Sequence, residues 1–149
     1  MNARGIRAEV DLEAPASRVW AILMDFDSYK EWNPFMIGVS GGVEKGASVR
    51  VTAVTPSGKQ FRFEPQIVDV TPGKRFSWRE GSSGLFERVV VFEVDSLDVA
   101  RSRFIHSAEF RGALVPFKSG AIRDLEAGYT TMNEALKARA ERQTTPTAA

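Results

Sequence analysis

The sequence predicts an α+β fold in which a curved antiparallel sheet wraps around one long C-terminal helix. Three observations carry that prediction. Residues 118–141 hold a helical pattern with no interrupting proline, enough for a helix of about 35 Å. Residues 39–110 read as strands separated by turns rich in Gly, Pro and Ser. One strand and two short helices precede them. The long helix has to cover the apolar face of the sheet, and a twisted sheet curled round it leaves a gap between the layers. An apolar gap with a few inward polar groups is the expected small-molecule site.

Each element has its own signal. Ile6, Ala8, Val10 and Leu12 alternate with Arg7, Glu9 and Asp11, the period of a half-buried strand. The period then changes: Pro15 suits a first helical turn, and Val19, Ile22 and Leu23 recur at helical spacing beside Trp20. Residues 25–32 form a second short helix, stopped at Asn33-Pro34 because a residue before proline disfavours the helical region. Gly38-Val39-Ser40-Gly41-Gly42 lacks the lysine and spacing of a phosphate-binding loop and reads as a turn. Ala47, Val49, Val51 and Ala53 point one way along the next strand. Thr55-Pro56-Ser57-Gly58 turns the chain into Phe61 and Phe63, and Pro65 marks an edge or bulge. Strands over 85–95 and 99–110 follow, joined by Ser96-Leu97-Asp98. In the final helix Ala121, Leu125, Gly128, Met132 and Leu136 make an apolar stripe flanked by Ile122, Tyr129 and Ala135. Gly128 costs about 1 kcal/mol relative to alanine in mid-helix. It is explained either by close packing against the sheet or by room left for a ligand.

Composition limits the function. With 149 residues the chain is expected to form one domain over 1–142, followed by a disordered polar tail at 143–149. The net charge of +1 gives no global field for nucleic acid or an anionic membrane. The absence of cysteine removes disulfides and thiolate chemistry. A single histidine with scattered acids gives no metal-ligand cluster, and neither metal nor cofactor is expected. The N-terminus lacks the apolar core of a signal peptide and no run is long enough to span a membrane, so a cytoplasmic protein without stable membrane insertion is expected. No residue pattern demands an oligomer.

Several segments resemble the polyketide cyclase/dehydrase branch of the START-like (SRPBCC, helix-grip) superfamily. They are Val10-Asp11-Leu12-Glu13-Ala14-Pro15-Ala16-Ser17-Arg18-Val19-Trp20, Asp25-Phe26-Asp27-Ser28-Tyr29-Lys30-Glu31-Trp32-Asn33-Pro34-Phe35, Phe104-Ile105-His106-Ser107-Ala108-Glu109-Phe110-Arg111-Gly112 and Met132-Asn133-Glu134-Ala135-Leu136-Lys137. The resemblance extends over about residues 5–141. It implies the helix-grip fold. It does not decide the activity, because the superfamily includes lipid carriers, aromatase/cyclases, ubiquinone-binding proteins, hormone receptors and chaperone activators.

Strand pairing suggests where chemistry lies. A three-residue loop at 96–98 sets Phe92 opposite Ser102, Val90 opposite Phe104, and Arg88 opposite His106, on the face turned to the helix. A guanidinium and an imidazole then stand side by side among aromatics, and both need partners or a purpose. Either Arg88 bridges to a helix carboxylate or backbone carbonyl beside a neutral His106, or Arg88 binds a ligand oxygen while His106 moves a proton. The adjacent guanidinium is expected to lower the His106 pKa. Trp78 would wall the cavity, with Trp32, Pro34, Phe35 and Met36 as a lid over its mouth. Glu87 and Glu109 have outward parity, against acid–base duty.

The expected ligand set is therefore Trp32, Phe35, Phe63, Trp78, Arg88, Val90, Phe104, His106, Leu125, Gly128 and Met132. The reading it supports is binding of a hydrophobic small molecule such as a lipid, quinone or polyketide-like aromatic. The alternatives are a cyclase or aromatase using Arg88 and His106, and a protein-interaction module with a vestigial cavity.

Overall fold

The computed structural model describes residues 3–142; the expected tail at 143–149 lies outside the described residues. Strand β1 (Ala3–Leu12) alternates as its sequence requires, with Ile6 and Leu12 buried and Arg7, Glu9 and Asp11 exposed. Pro15, in extended conformation, caps helix α1 (Ala16–Met24), which buries Val19, Ile22 and Leu23. A 3-10 turn (Phe26–Ser28) leads into the four-residue α2 (Tyr29–Trp32). Asn33 then turns extended, and its Oδ1 accepts from Phe35 N at 3.0 Å and Met36 N at 2.9 Å, which fixes the exit.

The strands form two antiparallel sheets. β2 (Met36–Gly41), β3 (Val49–Val54) and β4 (Gln60–Phe63) make the smaller one in that order. The glycine-containing run expected to turn is therefore β2. It pairs with β3 through a bulge between Met36 and Gly38, and backbone pairing outweighs the weak strand preference of its glycines. The larger sheet has the order β1-β8-β7-β6-β5, with β5 (Gln66–Thr71), β6 (Arg75–Ser82), β7 (Phe86–Asp98) and β8 (Arg101–Arg111). Pro65, which has no N–H to donate, lies where the chain passes from one sheet to the other. The sheets are joined there by a Ser48–Gln66 bridge and by Val49 N donating to Pro65 O at 2.9 Å.

The last hairpin differs from expectation. β7 runs on to Asp98, the turn is Val99–Ala100, and a bulge lies between Ser96 and Asp98. Asp98 holds that turn: its carboxylate accepts from Ala100 N and from Arg101 Nε, each at 2.9 Å. Arg88 thus pairs with Phe110 and His106 with Phe92, so the expected Arg88–His106 pairing is corrected. The displacement is an even number of residues, so both side chains keep the inward face.

Helix α3 (Ser119–Arg142) lies along β1 and β8 and buries Ile122, Leu125, Gly128, Tyr129, Met132, Asn133 and Leu136. Its far end is pinned to β1: Lys137 Nζ donates to Asp11 O at 2.9 Å and to the Glu141 carboxylate at 2.7 Å, which also accepts from Glu13 N at 2.8 Å. No described helix is long and apolar enough to cross a membrane.

Candidate functional site

The interior between the large sheet and α3 is an aromatic stack with polar groups set into it. From β6 and β7, Phe76 lies on Phe92 with ring centres 4.5 Å apart, and Trp78 meets Phe92 edge-on at 4.8 Å. From β8, His106 stands next to Phe92 at 4.7 Å. Tyr129 of α3 lies flat against His106, with ring centres 3.6 Å apart and planes within 9°. Phe35 meets Tyr129 edge-on at 5.6 Å. Phe35, Met36, Phe63, Trp78, Arg88, Val90, Phe92, His106 and Tyr129 together line a cavity of about 10 Å³. That is the space of one water molecule. The expected open gap is filled by side chains.

Phe35 and Met36 do not form a lid over a mouth, since both are buried in the core. Phe35 fits because position 128 is glycine: a Cβ there would overlap the Phe35 ring. Close packing thus accounts for Gly128, with Phe35 as the partner. Trp32 faces away from the cavity. It meets Tyr29 edge-on, with ring centres 5.1 Å apart, and lines a separate surface cleft with Asp25, Ser28 and Arg139. Phe104 and Met132 are buried beside the site, and Phe104 lies 5.8 Å from His106. Leu125 lines an apolar cleft of about 180 Å³ with Phe61 and Ala121, between the β3–β4 hairpin and the start of α3. Phe61 stacks on Phe63 at 5.6 Å, so an aromatic pair connects that cleft to the interior.

Arg88 finds its carboxylate on the neighbouring strand. Glu80 of β6 lies directly opposite, 3.1 Å from Arg88 Nε, and the guanidinium carbon is 4.4 Å from the centre of the Phe63 ring. Neither a helix carboxylate nor a backbone carbonyl takes that place. The contact lacks hydrogen-bond geometry, so Arg88 Nε is ion-paired to Glu80 but makes no hydrogen bond. Trp78 Nε1, His106 Nδ1 and both amide atoms of Asn133 are also buried without a hydrogen bond.

His106 is driven to its neutral form. Burial pulls its pKa down to about 3; Asn133 beside it opposes the shift and the Arg88 charge adds to it. The guanidinium expected to cause the shift is thus a minor contributor. Tyr129 is pushed up to about 12 by burial, with Arg88 lowering and Glu80 raising it. Among the described residues, no three of His, Asp and Glu converge as metal ligands would. What converges is a set of hydrogen-bonding groups in an apolar enclosure, with Trp78 and Arg88 as donors suited to holding ligand oxygen atoms.

Sequence reasoning did not single out Glu80, Tyr129 and Asn133 for the site. The last two were detectable: they lie four residues apart on the buried face of α3, where polar groups are out of place.

A closed interior of this kind, between a curved antiparallel sheet and one long helix, defines a START-like helix-grip protein. The chain belongs to the family described as polyketide cyclase / dehydrase and lipid transport, which matches residues 4–141. Among solved structures it is similar to the Zhui aromatase/cyclase from Streptomyces sp. R1128, at 20% identity over 99% of each chain with a TM-score of 0.81. It is also similar to a START superfamily protein from Mycobacterium smegmatis, at 18% identity, 93% of this chain, 98% of that one and a TM-score of 0.71. The di-domain ARO/CYC BexL from the BE-7585A biosynthetic pathway matches at 18% identity over 96% of this chain and 48% of its own, with a TM-score of 0.75. At these identities the likeness is one of fold. No curated protein matches the chain.

Proposed function

We propose that this protein binds a hydrophobic small molecule, carrying one or more oxygen acceptors, between the large sheet and α3. One observation supports the reading: Trp78 Nε1 and His106 Nδ1 are buried without a hydrogen bond and Arg88 Nε has only its ion pair with Glu80, and all three residues line the same small cavity. Each such group destabilises the fold by about 1–3 kcal/mol. Several together in one place are accounted for by a ligand that supplies the missing partners. Family membership supports the reading, as members bear the description of polyketide cyclase / dehydrase and lipid transport. With about 10 Å³ free, the ligand displaces the Phe35 ring from its notch at Gly128 to enter.

A catalytic reading stands second. An imidazole with an unpartnered Nδ1, near a guanidinium that would stabilise an enolate oxygen, suits cyclisation of a polyketone. A pKa of about 3 makes His106 a weak proton acceptor, and that places binding first. The unpartnered donors argue against an interaction module with a vestigial cavity.

The test is titration of the full chain with a hydroxyanthraquinone and with a long-chain fatty acid, followed by tryptophan fluorescence. Saturable quenching is expected for at least one ligand, and Arg88→Met is expected to weaken it about tenfold or more through loss of a charged hydrogen bond. Circular dichroism checks that the variant is folded. Absence of saturable binding in both the wild type and Phe35→Ala, whose interior is enlarged, would overturn the proposal.

A further inference from the structure

Arg88 carries a charge that the fold neutralises but does not hydrogen-bond. Along β6, Phe76, Trp78 and Glu80 share one face by strand alternation. Phe76 and Trp78 are buried, and Glu80, next on that face, reaches solvent: its side chain is 28% exposed, against 7% for that of Arg88. The two residues pair directly across β6 and β7, and Arg88 Nε lies 3.1 Å from the Glu80 carboxylate without completing a hydrogen bond. The guanidinium carbon also stands 4.4 Å over the Phe63 ring, a contact that draws on the charge and supplies no acceptor oxygen. Among the described residues, Arg88 has no second ion-pair partner.

A neutral ligand and an ionised one meet different conditions here. A neutral ligand cannot take the place of Glu80, because a buried guanidinium would be left without a counter-charge. An ionised acid brings its own. Its carboxylate can accept from two guanidinium N–H groups in the planar fork geometry that Glu80 does not reach. Glu80 already touches solvent, so its carboxylate can turn outward and be hydrated when the ligand arrives. Its departure leaves a seat of a carboxylate's size beside Arg88, which the free volume of about 10 Å³ does not offer.

We infer that the interior selects an acidic ligand, an apolar body ending in a carboxylate, and that Glu80 is a stand-in counter-ion which this ligand displaces from Arg88. The inference rests on the binding reading above and narrows its ligand from any oxygen acceptor to an ionised acid. Trp78, Val90 and Phe92 line the cavity with Arg88 and receive the apolar body.

The test is isothermal titration calorimetry of the full chain at neutral pH with two matched pairs: decanoate with decanol, and an anthraquinone carboxylate with the corresponding carboxamide. In a pair that binds, the acid is expected to bind about tenfold tighter or more, the worth of a charged hydrogen bond. Arg88→Met is expected to abolish that difference. Glu80→Gln keeps the size of the side chain and removes its charge. It is expected to tighten the acid about fivefold, the upper worth of a part-exposed ion pair, and to leave the neutral compound unchanged. If circular dichroism shows either variant unfolded, the comparison of acid with neutral compound in the wild type decides alone. The inference is overturned if both members of a pair bind the wild type equally, if the advantage of the acid persists in Arg88→Met, or if Glu80→Gln weakens the acid. Equal binding leaves the hydrophobic-ligand reading intact. Binding of none of the four compounds to either the wild type or Phe35→Ala would overturn that reading and this inference with it.

Discussion

Asn133 shows why the interior is better understood as a binding site than as a core optimised for stability. It is 2% exposed on the buried face of α3, where its amide lies against His106 without completing a hydrogen bond of good geometry. A leucine of similar size would fill the same volume without an unmet polar requirement, so stability alone does not favour asparagine. We expect Asn133→Leu to stabilise the folded protein by about 1–3 kcal/mol in urea denaturation, from removal of the unpartnered amide. A loss of similar size would mean that the amide has partners in solution, and with that the strongest argument for an internal ligand would weaken. Phe35 illustrates the complementary case. Its backbone is fixed by Asn33 Oδ1 and by its own carbonyl, which accepts from Val54 N at 2.8 Å, so any displacement of the buried ring takes place by side-chain rotation about a held main chain.

Among the elements, α3 carries the sharpest compromise, because Gly128 is a weak helix residue that the packing requires. Alanine there would gain about 1 kcal/mol of helix propensity. Its Cβ would also overlap the Phe35 ring, and overpacking in a filled core costs about 1–3 kcal/mol. The second effect is the larger, so Gly128→Ala is expected to destabilise the protein in thermal denaturation, and Phe35→Leu in the same chain to restore part of the loss. An increase in melting temperature for the single variant would show that Phe35 moves aside freely. This packing also marks the limit of sequence reading. Alternation and helical spacing located β1, β3, β7, β8 and α3, because period is a local property. The β7–β8 register was misplaced because the Asp98 hydrogen bonds select a two-residue turn with a bulge, and periodicity cannot distinguish that from a three-residue loop. Arg88 and His106 were still placed on the inward face, since parity survives an even displacement. The filling of the gap by Phe35 and Tyr129 was not visible, because it depends on tertiary contact between the residues just before β2 and the middle of α3.

On the scale of the whole molecule, the buried stack of His106 and Tyr129 sets the pH range in which the fold is stable. Folding holds His106 neutral, with a pKa of about 3 against 6.5 in the unfolded chain. Below 6.5 the unfolded state therefore binds a proton that the native state refuses. Stability is complete above 6.5 and declines as pH falls towards 3, by about 1.4 kcal/mol per pH unit. Tyr129 acts at the other limit: its folded pKa is raised from 10.0 to about 12, and that of Tyr29 is raised as well. The unfolded chain releases these protons first, so stability declines as pH rises above 10. Between pH 6.5 and 5 the unfolded carboxylates, at 3.8 for Asp and 4.5 for Glu, remain largely ionised, which isolates the histidine. We expect urea unfolding free energies to fall by roughly 2 kcal/mol from pH 7 to pH 5 in the wild type. In His106→Phe, which keeps an aromatic ring against Tyr129, the same interval should be nearly flat. An unchanged slope in that variant would assign the acid sensitivity elsewhere and show that His106 is accessible to protons in the native state.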